Sequence, residues 1–293
     1  MFLFFSLVAI LVAILTLVAI LTYSLCWYEY ANSNPQLMED RFKPQSLWLA
    51  FSLIIQEIFF NFLTLLLLPF GLLDPRRQPQ YKGETPVLLV HGLFINRACW
   101  FWFKSALRRR GFRNLVTINL SSYHNEETLT EQVAKRIDEL RLHLDVKKVH
   151  LVGHRMGGII IRNYVQLRGG EEKVDHCVFL ASPHAGSKLS PFAVTPLSKV
   201  LVPNSEFLQR LAAAPPPKVG RITNIYSLKD NMVVPAQSAH LNWLDNRILD
   251  RIGHTGMLYR KSSIEAVAAA LGPPDQVSPT DAAQRPAFHE NRQ

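Results

Sequence analysis

Charge is what this sequence lacks most. Asp, Glu, Lys and Arg make up only 19% of its 293 residues, and residues 1–28 contain none of them. At a rise of about 1.5 Å per residue, such a stretch easily crosses a hydrocarbon core of about 30 Å. It has no basic leading region and no small-x-small cleavage pattern before Cys26. Those two absences argue for a retained membrane helix over a secretory signal. Cysteine is also scarce. Cys26, Cys99 and Cys177 are odd in number and scattered, which excludes a disulfide framework and a cysteine metal site. Cys177 lies in an apolar run and reads as a small core residue. The net charge is +9, but no nucleic-acid recognition motif accompanies it, and no cofactor motif appears. Neither a nucleic-acid partner nor a cofactor is therefore expected.

A second apolar run lies between Lys43 and Asp74, with Glu57 its only charge. Glu57, Asn61 and Thr64 follow i, i+4, i+7 and share one helix face. The expected role of that face is packing, with hydrogen bonds across to the first helix at Ser6, Thr16 or Thr22. The alternatives are a functional carboxyl within the membrane, or a helix lying in the interface instead of spanning it. Arg41 and Lys43 sit between the two runs, and Arg76, Arg77 and Lys82 follow the second. That slight bias places the remainder of the chain on the cytoplasmic side of the membrane. Arg108, Arg109 and Arg110, with Lys104 and Arg113 nearby, read equally as a contact with anionic headgroups or as a solvated helix face.

Three zones follow. Residues 1–78 form a membrane anchor of two hydrophobic helices, 79–272 a globular domain, and 273–293 a polar, proline-bearing disordered tail. The globular zone alternates strand and helix signals. Short apolar runs at Pro86–Val90, Leu115–Leu120, Val149–Val152, Val174–Leu180 and Ile222–Leu228 read as buried strands. Helical stretches fall at Ala98–Arg110, Glu126–Leu144 and Met156–Leu167, the second with Leu129, Val133, Ile137 and Leu140 on one face. This alternation predicts an α/β fold with a mostly parallel sheet and helices on both faces. The stretch 187–217 breaks the rhythm. It carries Phe192, Leu197, Phe207 and Leu211, ends in Pro215-Pro216-Pro217, and reads as a small apolar cap over an acyl-binding cleft or as a crossover helix.

The chemistry concentrates at Gly153-His154-Arg155-Met156-Gly157-Gly158, where an apolar strand meets a helical segment. That is the strand–turn–helix of a nucleophile elbow, Gly-x-Ser-x-Gly, with Arg155 at the serine position. Three further motifs flank it in order. They are Val90-His91-Gly92-Leu93, Ala181-Ser182-Pro183-His184-Ala185-Gly186-Ser187, and two loops carrying Asp230 and His254. From Pro86 to about Gly272 the chain resembles α/β-hydrolases of the bacterial triacylglycerol lipase and esterase type.

The resemblance implies a fold and a set of roles. Asp230 takes the place of the acid that orients His254, and His254 that of the base. The backbone N–H groups of Leu93 and Met156 take the place of the oxyanion donors. It also implies a lipid or other ester as substrate. Arg155 contradicts the activity, because a guanidinium stays protonated and offers no oxygen for attack. Ser121, Ser122, Ser182 and Ser187 all lie outside the elbow. Arg155 is expected to pair with Asp230 or reach water, and to displace His254 from Asp230 or fill the pocket. The chain therefore reads as a disabled lipase or carboxylesterase. The alternative is a pseudoenzyme that binds a lipid, a fatty acid or a protein partner.

Overall fold

The computed structural model describes residues 1–33, 42–73 and 79–274. Two long apolar helices come first, α1 (Phe2–Ser33) and α2 (Pro44–Leu72). Both are long and apolar enough to cross a membrane. A sheet of six strands follows, β1 (Val87–Val90), β2 (Leu115–Ile118), β3 (Val149–His154), β4 (Val174–Leu180), β5 (Arg221–Ser227) and β6 (Asp245–Leu249). Their spatial order is β2-β1-β3-β4-β5-β6, and every neighbouring pair is parallel. The connections carry α3 (Phe101–Arg108), α4 (Glu126–Leu144), α5 (Met156–Leu167), α6 (Pro196–Val200) and α7 (Glu206–Ala213), and α8 (Lys261–Leu271) closes the domain.

The strands are apolar at consecutive positions because both faces of the sheet are covered. Leu88 and Val90 of β1 point into one core with α4, α5 and α7, whereas Val87 and Leu89 point into the other with α3 and α8. The same period of two separates Cys177 and Phe179 from Val178 and Leu180 on β4. Helix α4 buries Leu129, Val133, Ile137 and Leu140, and Asn125 caps its start by accepting the Thr128 N–H at 2.8 Å. All three cysteines are buried and free.

Between β4 and β5, Leu197, Leu201, Phe207, Leu208 and Leu211 are buried in the core shared with α5. That is the packing of a crossover. Phe192 and Val194 remain exposed and are the residues available to act as a cap. The expected tail 273–293 lies outside the described residues apart from Pro273 and Pro274, as do Arg41, Arg76 and Arg77 of the charge bias.

The polar face of α2 is packed, as its periodicity suggests, but against a different partner. Glu57, Asn61 and Thr64 bond to the loop after β6, at Thr255, Gly256 and Tyr259, and among the described residues none of them bonds to Ser6, Thr16 or Thr22 of α1. Ser6 and Thr16 instead donate to carbonyls of their own helix, and Thr22 accepts from Asn231. Farther along, Leu68 O and Gly71 O of α2 accept bonds from Asn96, Arg97 and Asn119. One side of α2 is thus fastened to the globular domain.

Candidate active site

Parallel strands bring their carboxyl ends to one edge, and the candidate residues gather there. Arg155 sits between β3 and α5 with φ 53° and ψ −120°. A non-glycine residue in such a conformation carries strain of about 1–3 kcal/mol and persists only where its surroundings enforce it. Here the Arg155 N–H donates to Leu180 O at 2.9 Å, and its own carbonyl accepts the Gly158 N–H at 3.1 Å. The flanking glycines are required by close approach. A Cβ on Gly153 would stand 2.5 Å from Gly158 Cα, and one on Gly157 would stand 2.6 Å from His91 O. The elbow is formed, with a guanidinium side chain at its apex.

Asp230 lies three residues beyond β5. Its Oδ1 accepts the N–H groups of Met232 and Val233 at 2.8 and 2.9 Å, and its Oδ2 faces His254 Nδ1 at 2.7 Å. Both residues are buried. With the carboxylate accepting, Nδ1 donates, and in the neutral imidazole Nε2 then presents a lone pair. Nε2 has no hydrogen-bond partner among the described residues. The expectation that Arg155 separates these two residues, or pairs with Asp230 itself, is therefore incorrect. Asp230 already accepts three hydrogen bonds, and no ion pair joins it to Arg155 among the described residues. Arg155 instead turns toward the end of β1. Its Cβ and Cδ lie 3.1 and 3.4 Å from where a Cβ of Gly92 would be. Half-buried there, its side chain makes no hydrogen bond or ion pair among the described residues. Burial lowers its pKa from the ordinary value, and the Asp230 charge opposes that shift.

Leu93 and Met156 are buried next to these groups in sequence, Met156 as the first residue of α5. Neither backbone N–H donates a hydrogen bond among the described residues. The loop carrying Leu93 is held on both sides. His91 Nδ1 donates to Gly92 O at 2.7 Å while Nε2 accepts the Leu120 N–H at 3.0 Å, and the Phe94 N–H donates to Ser122 Oγ at 3.0 Å. Burial lowers the His91 pKa from 6.5 to about 4.

His154 holds the variable position of the elbow, where the sequence gives it no signal that separates it from a structural histidine. Its ring packs 4.9 Å from that of His254 and edge-on to Trp100. Burial, then the neighbouring His254 and Arg155, hold it well below the usual imidazole range. His184 is lowered chiefly by burial as well.

These histidines give a pH dependence with a definite sign. The unfolded chain takes up their protons near pH 6.5, while folded His91 resists until about pH 4. Their contribution to stability should be complete above about pH 6.5 and be lost as the pH drops toward 4, by about 3 kcal/mol for His91 alone. Thermal melts between pH 7 and 4 measure this, and a flat profile would contradict it.

Ser121, Ser122, Ser182 and Ser187 occupy other positions at this edge of the sheet. Ser122 holds Phe94, and Ser187 Oγ donates to Met232 O at 2.7 Å. Ser121 Oγ accepts from Tyr123. Ser182 is fully buried against Gly158, beneath α5.

Residues 85–201 match the family model described as the alpha/beta hydrolase fold. A triacylglycerol lipase of Pseudomonas fragi is 31% identical over 110 residues, 36% of this chain and 36% of the lipase. The dihydrolipoyllysine-residue acetyltransferase component of an acetoin cleaving system from Pseudomonas putida is 27% identical over 139 residues, 45% of this chain and 32% of that protein. The chain thus spans about a third of the length of these curated relatives. Among solved structures, the mature form of a Bacillus licheniformis lipase superposes with a TM-score of 0.54 at 17% identity, covering 63% of this chain and 90% of that one. Lipase B of Aspergillus fumigatus gives 0.57 at 23% identity, over 66% and 54%. At those identities the likeness is one of fold.

Proposed function

We propose that this lipase- and esterase-like α/β-hydrolase is a membrane-held carboxylic-ester hydrolase scaffold that lacks its nucleophile and is catalytically silent as it stands. The observation that carries the reading is the intact Asp230–His254 pair, bonded at 2.7 Å beside an elbow whose apex is Arg155. In such a site His254 Nε2 removes the proton from an attacking hydroxyl and later returns it to the leaving alcohol. Asp230 fixes the tautomer, and the Leu93 and Met156 N–H groups stabilise the oxyanion at the start of α5. Arginine supplies five N–H donors and no lone pair, so the first step has no participant. The substrates such a scaffold accepts are lipid or other carboxylic esters, in line with the triacylglycerol lipase it resembles.

The apolar first part of α1 and the lipid-facing side of α2 hold the chain at the membrane. Phe94, on the loop after β1, and Phe192 and Val194, after β4, add exposed apolar surface to the same protein. The chain is expected to hydrolyse p-nitrophenyl butyrate no faster than its own His254→Ala variant. Turnover that disappears with His254 would overturn the reading.

A second reading rests on the same arginine. A half-buried cation without a protein partner among the described residues suits a carboxylate such as that of a fatty acid. Arg155→Ala should then weaken oleate binding about 10- to 100-fold, from the ~1.5–3 kcal/mol of a charged hydrogen bond. Unchanged binding in an equilibrium titration would remove this alternative.

A further inference from the structure

We propose that Glu57 of α2 is a positioning residue, which holds the backbone after His254 in the register that the Asp230–His254 pair requires. The proposal rests on the reading of His254 as the base. Glu57 is fully buried. Its Oε2 accepts the N–H of Thr255 at 3.1 Å and its Oε1 accepts that of Gly256 at 3.2 Å. These are the first two N–H groups of the short 3₁₀ turn Thr255–Leu258, for which His254 is the preceding cap residue. The carboxyl therefore satisfies, from another element, the orphan donors that immediately follow the candidate base. It is itself steadied by Asn61, which donates to Glu57 Oε2 at 3.4 Å and accepts from Thr255 Oγ1 at 3.1 Å.

The loop is shaped to receive this carboxyl. A side chain on Gly253 would strike both Glu57 Oε1 and the Tyr23 hydroxyl of α1. The Asp230 side of the pair is tied to the helices as well. Asn231 donates to Thr22 at 2.8 Å and accepts the His254 N–H at 3.3 Å, and Cys26 Sγ lies 3.5 Å from Asp230 O as donor. Burying a carboxyl is costly unless its hydrogen bonds are made, and helix packing alone has no need of one. Here both oxygens are aimed at amides one and two residues from His254. The apolar N-terminal helices thus form part of the candidate active site in addition to tethering it.

The test uses the full chain in detergent. In the protein as it stands, Glu57→Gln leaves one acceptor and turns an NH2 group toward a backbone donor. Hydrogen exchange at Thr255 and Gly256 should accelerate at least tenfold, with exchange in β3 and β4 unchanged. In an Arg155→Ser background, Glu57→Gln should lower kcat per titrated active site about 10- to 100-fold while KM stays within about twofold. If Glu57→Gln does not fold, Asn61→Leu should show the same pattern to a smaller extent. Unchanged exchange at Thr255 and Gly256 overturns the proposal, and so does accelerated exchange with kcat unaltered. An Arg155→Ser protein that is inactive with Glu57 intact would count against the hydrolase reading instead, and the exchange measurement would still decide whether Glu57 holds the loop.

Discussion

Replacing Arg155 by serine is expected to raise the hydrolysis of short p-nitrophenyl esters by on the order of 10⁴- to 10⁶-fold. Loss of a triad nucleophile costs about 10⁶-fold in turnover, and restoring it in a prepared site recovers much of that. At 1.36 kcal/mol per decade the gain is about 5–8 kcal/mol of transition-state stabilisation. The geometry around residue 155 supports this expectation. The elbow holds residue 155 at φ 53°, a conformation imposed by backbone contacts on both sides and not by the arginine. His254 is bonded to Asp230 and has Nε2 without a partner among the described residues. The substitution also removes the side chain that lies against Gly92, so it opens the space beside Leu93 as it supplies the hydroxyl. A folded Arg155→Ser protein that stays at background would mean that the remaining elements do not form a working site.

Within that active background, Asp230→Asn should cost about 10⁴-fold in kcat, with little change in melting temperature. The reason is local. Asp230 Oδ1 accepts two backbone N–H groups, so the oxygen of an asparagine amide is drawn to that side and its NH2 faces His254. The imidazole must then accept at Nδ1 and carry its proton on Nε2, the nitrogen that has to take a proton from the nucleophile. His254→Ala should cost at least as much, because it removes the base altogether. Melting curves and kcat measured on the same samples separate loss of chemistry from loss of fold. A small kcat effect with Asp230→Asn would show that another group orients His254.

Much of this was legible in the sequence where local pattern and tertiary demand agree. Helix α4 and helix α5 start and stop where the apolar period and flanking residues put them, and β4 matches its apolar run. The elbow could be read because its glycines answer to backbone contacts that any occupant of position 155 would face. Strand β6 leaves no mark in the sequence because it is an edge strand, partly exposed and polar at Asp245, Asn246 and Arg247, with no continuous apolar run. The periodicity of Glu57, Asn61 and Thr64 identified a face correctly and its partner wrongly. Spacing fixes which residues point the same way, while the surface they meet depends on how the helix docks, and α2 docks on the loop about two hundred residues later. Charge alone points Arg155 to Asp230 or to water. The two backbone donors at Asp230 Oδ1, which no sequence pattern announces, leave the carboxyl committed to His254.

Whether position 155 alone separates this chain from a working serine hydrolase can be read by intact mass after treatment with a fluorophosphonate. The chain with Arg155 is expected to gain no mass, and Arg155→Ser to gain one phosphonyl group, mapped to residue 155. A stoichiometric adduct on any serine of the Arg155 chain would contradict the account.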